Sequence, residues 1–87
     1  MQHCNTKEYF CRACGYEQDE ATWEYGFASF ELCMCCGIQF GYEDIQYEVV
    51  KKYRENWLNN GAKWIHPQFK PQNWNLKEQL QNAWYEK

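Results

Sequence analysis

Four cysteines arranged as C-x2-C-x18-C-x2-C constrain the fold of this 87-residue chain more than any other feature. Each pair is followed by a glycine, Gly15 or Gly37. Two intervening residues let both thiolates of a pair turn toward one point, and the glycine accepts a positive φ that aims backbone N–H groups at the sulfur atoms. The pattern therefore predicts two knuckles that hold one metal ion, and the predicted ligands are Cys11, Cys14, Cys33 and Cys36.

The expected metal is zinc, as one structural ion. Four thiolates complete a tetrahedral site and leave no open position for water, which is typical of structural and not of catalytic zinc. A domain of this size buries only about 60 to 65% of the surface that its unfolded chain exposes, so its core is thin. An additional stabilising element, such as a bound metal, is therefore expected. Structural zinc supplies on the order of 10 kcal/mol of apparent binding free energy in small zinc domains. Loss of one thiolate is expected to unfold much of the first half of the chain. Iron is the alternative ion, because a set of four thiolates suits both metals.

A disulfide framework is the competing use of six cysteines. It requires an oxidising compartment and usually a secretory signal. Residues 1–8 contain no apolar signal region, and no stretch of the chain approaches the length of a transmembrane helix. We therefore expect a reduced, cytoplasmic protein with no membrane partner.

The remaining cysteines and both histidines are weaker candidates for a site. Cys35 would give a C-x-C spacing with the glycine misplaced, so we expect its side chain to face away from the metal. Cys4 beside His3 suggests a second metal site or a nucleophile with its base, but these residues lie in a terminus that we expect to be frayed. His66 is interpreted as an ordinary loop histidine, with zinc ligation or general-base catalysis as the alternatives.

Short strands are predicted around the cysteine pairs. Tyr9 and Phe10 are expected to form a strand that enters the first knuckle, and residues 17–22 an exposed acidic loop. Aromatic and apolar residues at alternate positions of 23–27 and 30–32 predict two further strands, broken near Gly26.

The second half is predicted to be helical. Apolar residues recur every four positions in residues 43–59 and predict an amphipathic helix with Glu43 and Asp44 at its start. Asn60 and Gly61 are a typical helix end. The residues assigned to the apolar stripe are Ile45, Val49, Val50, Tyr53, Trp57 and Leu58.

An irregular segment and a second helix complete the predicted elements. Residues 62–74 contain both prolines and three apolar residues expected to anchor the segment, which are Trp64, Ile65 and Phe69. Asn75 with Glu78 resembles a capping box, so a helix is predicted from Asn75 to about residue 85, with Leu76, Leu80, Ala83 and Trp84 on its apolar face. The predicted architecture is α+β: one domain over residues 1–87, with a small β zinc ribbon in 9–42 and two helices in 43–87.

Charge divides the chain into two unlike parts. Residues 1–50 hold nine acids and two bases, a formal charge of −7, whereas residues 51–87 hold seven bases and three acids, a charge of +4. Four thiolates around a divalent cation make the first part more acidic still. This acidity opposes nucleic-acid binding, although lysines and tryptophans interleave in residues 51–87 and many zinc ribbons bind nucleic acid. A nucleic-acid-binding zinc ribbon remains an alternative function.

No sequence signature of catalysis is present. The chain contains no nucleophile elbow, phosphate-binding loop, HExxH motif or paired-carboxylate signature. Its acidic clusters are of the kind usually found in solvated loops and at helix starts. We therefore expect a non-enzymatic protein.

Both cysteine pairs resemble the iron-binding loops of rubredoxins. The resemblance covers about 15 residues, in the segments 9–16 and 32–38. Rubredoxins place their two pairs further apart and lack a helical half of this size. The resemblance implies two metal-binding knuckles and, as a third candidate function, electron transfer by iron.

A second resemblance is to small bacterial cysteine-rich proteins of the CPCC type. It is carried by residues 31–44 (ELCMCCGIQFGYED), 53–57 (YRENW) and 61–64 (GAKW), with Met34 where that family has proline. Such proteins are zinc-ribbon-like, and some resemble immunity proteins of bacterial toxin systems. The resemblance implies a small cytoplasmic inhibitor.

The function predicted from these observations is a zinc-stabilised protein-binding module that neutralises a toxin by occlusion. An acidic face would steer it onto a basic partner, and exposed aromatic residues would anchor it there. The residues expected to contact the partner are Asp19, Glu20, Tyr42, Glu43, Asp44 and Tyr47.

Overall fold

A three-stranded antiparallel sheet and two helices form the α+β fold of the computed structural model, which describes residues 7–84. The strands are β1 (Lys7–Glu8), β2 (Trp23–Glu24) and β3 (Phe27–Ala28), in the order β1-β2-β3. The turn between β2 and β3 has positive φ at both central residues, Tyr25 (53°) and Gly26 (88°), as a tight hairpin with right-handed strand twist requires. Cys4 and His3 lie outside the described residues.

Two of the predicted strands are reduced to single bridges. Among the described residues, Phe10 forms a single bridge with Glu17, and Leu32 forms a single bridge with Gln39. Each bridge closes a cysteine turn, so the chain reverses direction before a longer strand can form. Phe30 has a φ of 62°, a conformation that cannot continue a strand.

The first helix, α1 (Tyr47–Asn59), begins four residues later than predicted. Residues 41–46 form turns, because the buried Asp44 accepts hydrogen bonds from Trp23 Nε1 (2.9 Å) and Gly41 N (2.6 Å). Asp44 is therefore not a helix-start charge. The predicted end is confirmed, since α1 ends at Asn59 with Asn60 as its C-cap, and Gly61 follows with a φ of 95°.

The buried face of α1 also differs from the predicted stripe. Ile45 and Val49 are 55% and 44% exposed, and the buried residues are Val50, Arg54 and Trp57. The Arg54 side chain donates hydrogen bonds to three backbone carbonyl oxygens of other segments. These are the oxygens of Ala13 (2.6 Å), Arg12 (3.0 Å) and Trp84 (2.6 Å). A charged side chain therefore joins α1 to the turn that lies between Cys11 and Cys14.

The chain after α1 contains a 3-10 turn, Pro67–Phe69, and the short helix α2, Leu76–Leu80. Asn75 caps α2 as predicted, accepting from Glu78 N at 3.0 Å, but the helix ends at Leu80 and does not reach residue 85. Among the three predicted anchors, Trp64 is buried, whereas Ile65 and Phe69 are about half exposed. No helix within residues 7–84 combines the length and the apolar character needed to cross a membrane.

A second arginine joins the sheet to the end of the described chain. The Arg12 guanidinium lies 4.2 Å from the ring centroid of Trp23 and 4.1 Å from that of Trp84. It also forms two hydrogen bonds to the Glu8 carboxylate, at 3.0 and 2.9 Å, and donates to Asp44 O at 2.8 Å. Stacked and ion-paired arrangements of this kind suit arginine and not lysine.

Replacement of Arg54 by methionine tests how much the hydrogen bonds of its side chain contribute to the stability of the fold. Arg54→Met removes three hydrogen bonds and leaves the carbonyl oxygens of Ala13 and Trp84 without this donor, and we expect the free energy of unfolding to fall by about 3 kcal/mol. Urea unfolding of the purified chain measures the loss. Lys51→Met is the matched control, since Lys51 is exposed on the same helix and should change stability by no more than about 0.5 kcal/mol. Equal losses for the two variants would contradict this role of Arg54.

Candidate metal centre

Two structurally equivalent turns present the four cysteines. In the turn at residues 10–17, Cys11 N donates to Tyr16 O and Gly15 N donates to Cys11 O, both at 2.9 Å. The turn at residues 32–39 repeats both bonds at equivalent positions, at 2.9 and 3.1 Å. Similar local sequence thus produces the same backbone conformation twice. We call these segments the first and second cysteine turns.

The two cysteine turns face each other and bring all four predicted ligands together. Cys11 Sγ lies 3.7 Å from Cys36 Sγ, Cys14 Sγ lies 3.6 Å from Cys33 Sγ, and the four sulfur atoms all fall within 4.8 Å of one another. A tetrahedral site with bonds of about 2.3 Å separates its sulfur atoms by about 3.8 Å. The cysteines are free, and a disulfide would need a separation of about 2.05 Å. The cluster therefore has the size and composition to hold one metal ion.

The cluster is sealed from solvent. Three of its cysteines are 0% exposed and Cys36 is 4% exposed. Cys35 is buried as well, but its thiol is not one of the four clustered sulfur atoms and accepts a hydrogen bond from Gln79 Nε2 at 3.4 Å. A closed set of four sulfur ligands leaves a bound ion no position for water or substrate.

Hydrogen-bond donors point at two of the sulfur atoms. Cys14 N lies 3.5 Å from Cys11 Sγ, and Cys33 Sγ accepts from Cys35 N and from the Gln18 side chain, both at 3.3 Å. Such donors stabilise thiolate charge and orient metal ligands. The donors are amides of residues within the turns and one side chain. The two turn glycines instead donate to carbonyl oxygens, so their positive φ closes the turns.

Ionisation within the cluster is uneven. Burial raises the pKa of both Cys14 and Cys36 well above the ordinary value of a thiol. Burial also opposes ionisation of Cys33, but hydrogen bonds from Cys11, Cys14 and Cys36 lower the pKa of Cys33 overall. Burial in a dry site opposes the ionisation of a thiol, and hydrogen bonds to its sulfur atom favour it. A divalent cation can replace the remaining protons, so metal binding and proton release are coupled.

The second half of the chain completes the surroundings of the cluster. The Gln79 side chain donates to Cys14 O at 3.1 Å, the Tyr53 hydroxyl donates to Cys36 O at 2.9 Å, and Ile65 N donates to Cys35 O at 2.8 Å. Burial raises the pKa of Tyr53, which keeps its hydroxyl protonated as a donor. Sequence reasoning missed Gln18 and Gln79, because no spacing or periodicity connects them to the cysteines.

The residues predicted to contact a partner do not form one exposed set. Asp44 is fully buried, with both carboxylate oxygens hydrogen-bonded, so the prediction that it contacts a partner is wrong. Glu43 is half-buried, and its carboxylate accepts from Gln39 N at 3.1 Å. The exposed members are Asp19, Glu20, Tyr42 and Tyr47.

His66 is not part of the cysteine cluster. Its amide donates to Met34 O at 3.1 Å, which ties the segment after α1 to the second cysteine turn. Its ring lies edge-on to Phe69, with the centroids 6.2 Å apart. These contacts agree with the interpretation of His66 as a loop histidine.

Comparison with known proteins shows similarity to a bacterial protein. The chain is 30% identical to the uncharacterized protein YoaQ of Bacillus subtilis over an alignment 95 residues long. The alignment covers 88% of this chain and 75% of that protein. No family model matches the chain. No solved structure matches it either.

Substitution of the turn glycines by alanine tests the geometry of the cluster. A Cβ at Gly15 (φ 85°) would lie 2.0 Å from the backbone oxygen of Gln79, and one at Gly37 (φ 86°) would lie 2.6 Å from the Ile65 side chain. A side chain can move aside more cheaply than a backbone oxygen. We therefore expect Gly15→Ala to destabilise the chain more than Gly37→Ala, as measured by thermal unfolding.

Gly61→Ala is the control for the glycine series. Gly61 has a similar φ of 95°, but its nearest neighbour would be 3.9 Å from the added Cβ. Its substitution should cost only the backbone strain, about 1–2 kcal/mol. Equal losses at all three positions would show that the contacts of the cysteine turns with the C-terminal segment contribute nothing.

Proposed function

We propose that this chain, which belongs to the same family as YoaQ of Bacillus subtilis, is a zinc-stabilised, non-enzymatic protein-binding module. The observation that carries the proposal is the sealed cluster of four cysteine sulfur atoms within 4.8 Å of one another. In this proposal the metal organises the fold and the surface performs the function.

Zinc is the proposed occupant because the site is closed and consists of four sulfur ligands. Zinc in tetrahedral four-cysteine sites is typically structural and needs no redox chemistry or open position. The two equivalent cysteine turns, with their backbone N–H···S contacts, support an assignment as the knuckles of a small zinc ribbon. Iron suits the same ligands, so metal content distinguishes the proposed module from an electron-transfer protein.

The aromatic surface supports a role in protein binding. Several large apolar side chains within residues 7–84 are exposed, led by Phe27 (78%), Tyr42 (74%) and Phe30 (60%). Phe27 belongs to β3, Phe30 lies two residues after that strand, and Tyr42 lies in the turns between the second cysteine turn and α1, where its amide donates to Gln39 O at 3.2 Å. Exposed aromatic residues on a rigid scaffold bind partners at low entropic cost.

The specific form that we propose is a toxin immunity protein that acts by occlusion in the cytoplasm. The support is the resemblance of residues 31–44 to small bacterial cysteine-rich proteins and the charge of −7 on residues 1–50. An acidic inhibitor is attracted to a basic active-site surface, such as one that binds nucleic acid or nucleotide. Asp19, Glu20, Tyr42 and Tyr47 are the proposed contacts, together with Glu43.

Removal of one ligand tests the metal assignment. We expect the purified chain to contain one zinc ion and to lack visible absorbance, and we expect Cys11→Ser to lose the metal and most of its cooperative unfolding transition. Elemental analysis and circular dichroism measure both effects. A chelator should unfold the wild-type chain in the same way, since the binding free energy of a structural metal is also folding free energy.

Cys35→Ser is the matched control for the ligand variant. Cys35 is as buried as Cys11 but lies outside the group of four clustered sulfur atoms, so Cys35→Ser should retain one zinc ion per chain. Loss of zinc from both variants would contradict the ligand assignment. Stoichiometric iron with strong visible colour would instead support the electron-transfer alternative.

A partner captured from the source cells tests the binding function. We expect the zinc-loaded chain to retain a specific protein, and Tyr42→Ala to weaken its retention about tenfold, as expected for loss of an aromatic hot spot. Lys51→Ala, at an exposed position on α1, is the control and should leave retention unchanged. Binding to random oligonucleotides with steep salt dependence, and to no protein, would support the nucleic-acid alternative.

A further inference from the structure

A cleft of about 640 Å³ lies beside the metal centre and shares with it the side chain of Gln18, which donates to Cys33 Sγ. Its lining includes the exposed apolar residues Leu32, Met34 and Phe69, which are 54%, 39% and 48% exposed. Phe40, which is buried, and Tyr16 also line it. The cleft is therefore a groove with apolar walls in which large side chains remain accessible to solvent.

The charges that line this cleft have a single sign. Within the part of the chain that the structure describes, four carboxylate side chains contribute to it and no lysine, arginine or histidine does; the four are Asp19, Glu20, Glu24 and Glu31. Glu24 forms an ion pair with Lys7 at 3.6 Å, in which both side chains are about half exposed. Among residues 7–84, no ion pair engages the other three acids. Their negative charge is left for a partner to neutralise.

The walls of the cleft are connected to the two cysteine turns. Tyr16 directly follows Gly15, and Leu32 and Met34 flank the ligand Cys33. The backbone at these positions is held by the turn hydrogen bonds and by the bond from His66 N to Met34 O. The cleft is thus formed before a partner arrives, which lowers the entropic cost of binding.

We propose that this cleft binds a lysine or arginine side chain of a protein partner, next to an apolar residue of the same partner. The aliphatic stem would lie along Leu32 and Met34, and the cationic head would reach the carboxylates of Asp19, Glu20 and Glu31. The aromatic rings of Tyr16 and Phe69 suit a cation as well. Charge complementarity selects this occupant, since an acidic or purely apolar segment would leave the carboxylates unpaired. The inference rests on the proposed function as a protein-binding module and names the chemistry of its partner.

Peptides of defined composition provide the test. The probes are fluorescein-labelled peptides of equal length that alternate lysine with leucine, lysine with serine, or glutamate with leucine. Fluorescence anisotropy with the full zinc-loaded chain should show tightest binding of the lysine–leucine peptide, with affinity that falls as salt is added. Equal binding of the lysine–leucine and lysine–serine peptides would overturn the proposed apolar contacts.

Two triple variants distinguish the effect of the cleft carboxylates on peptide binding from the effect of net charge. Asp19→Asn with Glu20→Gln and Glu31→Gln should weaken the lysine–leucine peptide about tenfold, since exposed charge pairs are individually weak but here act together. The control combines Glu48→Gln, Glu55→Gln and Glu78→Gln, which remove the same charge from exposed positions outside the cleft. Equal weakening in both triple variants would show non-specific attraction and overturn the proposal.

Further measurements distinguish an error in the proposed cleft from an error in the proposed protein-binding function. Thermal unfolding checks that each variant folds, and Met34→Gln provides a second cleft variant, which should weaken the lysine–leucine peptide but not the lysine–serine peptide. A captured partner that is lost on Tyr42→Ala but retained by both cleft variants would overturn the cleft and leave the protein-binding function standing. Absence of any captured partner, with no preference among the peptides, would overturn both.

Discussion

The convergence of four cysteine sulfur atoms from two equivalent turns is the constraint on which the rest of this structure depends. All four are buried, and the largest side chains with almost no exposure, Phe40, Ile38 and Val50, are few. The strands are only two residues long, so the sheet alone could not hold the first half together. The core of this chain is therefore organised around the cysteine cluster, which explains why a bound metal would stabilise the whole fold.

Side chains in the second half of the chain donate hydrogen bonds to backbone oxygens of the cysteine turns. Arg54 donates to the carbonyl oxygens of Arg12 and Ala13, and Gln79 donates to that of Cys14. These acceptors are exposed to the helical half because the turns curl around the sulfur atoms. Long polar side chains thus satisfy carbonyl groups that a longer sheet would have paired, and the two halves become mutually dependent.

In the function that we propose, the buried metal centre stabilises the fold and the exposed surface binds the partner. The sulfur cluster offers no position for a substrate, whereas the exposed aromatic residues and the acidic cleft beside the second cysteine turn are accessible to a macromolecule. The cleft borders Cys33 through Leu32 and Met34, so binding there would depend on the same backbone that holds the metal. In this proposal, stability and recognition are coupled because they depend on the same segment of backbone.

Local signals in the sequence indicated the two cysteine turns, the existence of α1, its C-cap at Asn60 and the Asn75 cap of α2, because each depends on residues a few positions apart. Tertiary structure alone decided the start of α1 and the burial of Arg54. Asp44 shows the reason: its carboxylate is hydrogen-bonded to Trp23, 21 residues away, and this contact delays the helix. The roles of Gln18 and Gln79 likewise arise from contacts between distant segments. A charged residue considered by itself is expected to be exposed. An arginine can nevertheless be buried where several backbone carbonyl oxygens accept hydrogen bonds from it. Only the folded chain shows where those oxygens come together.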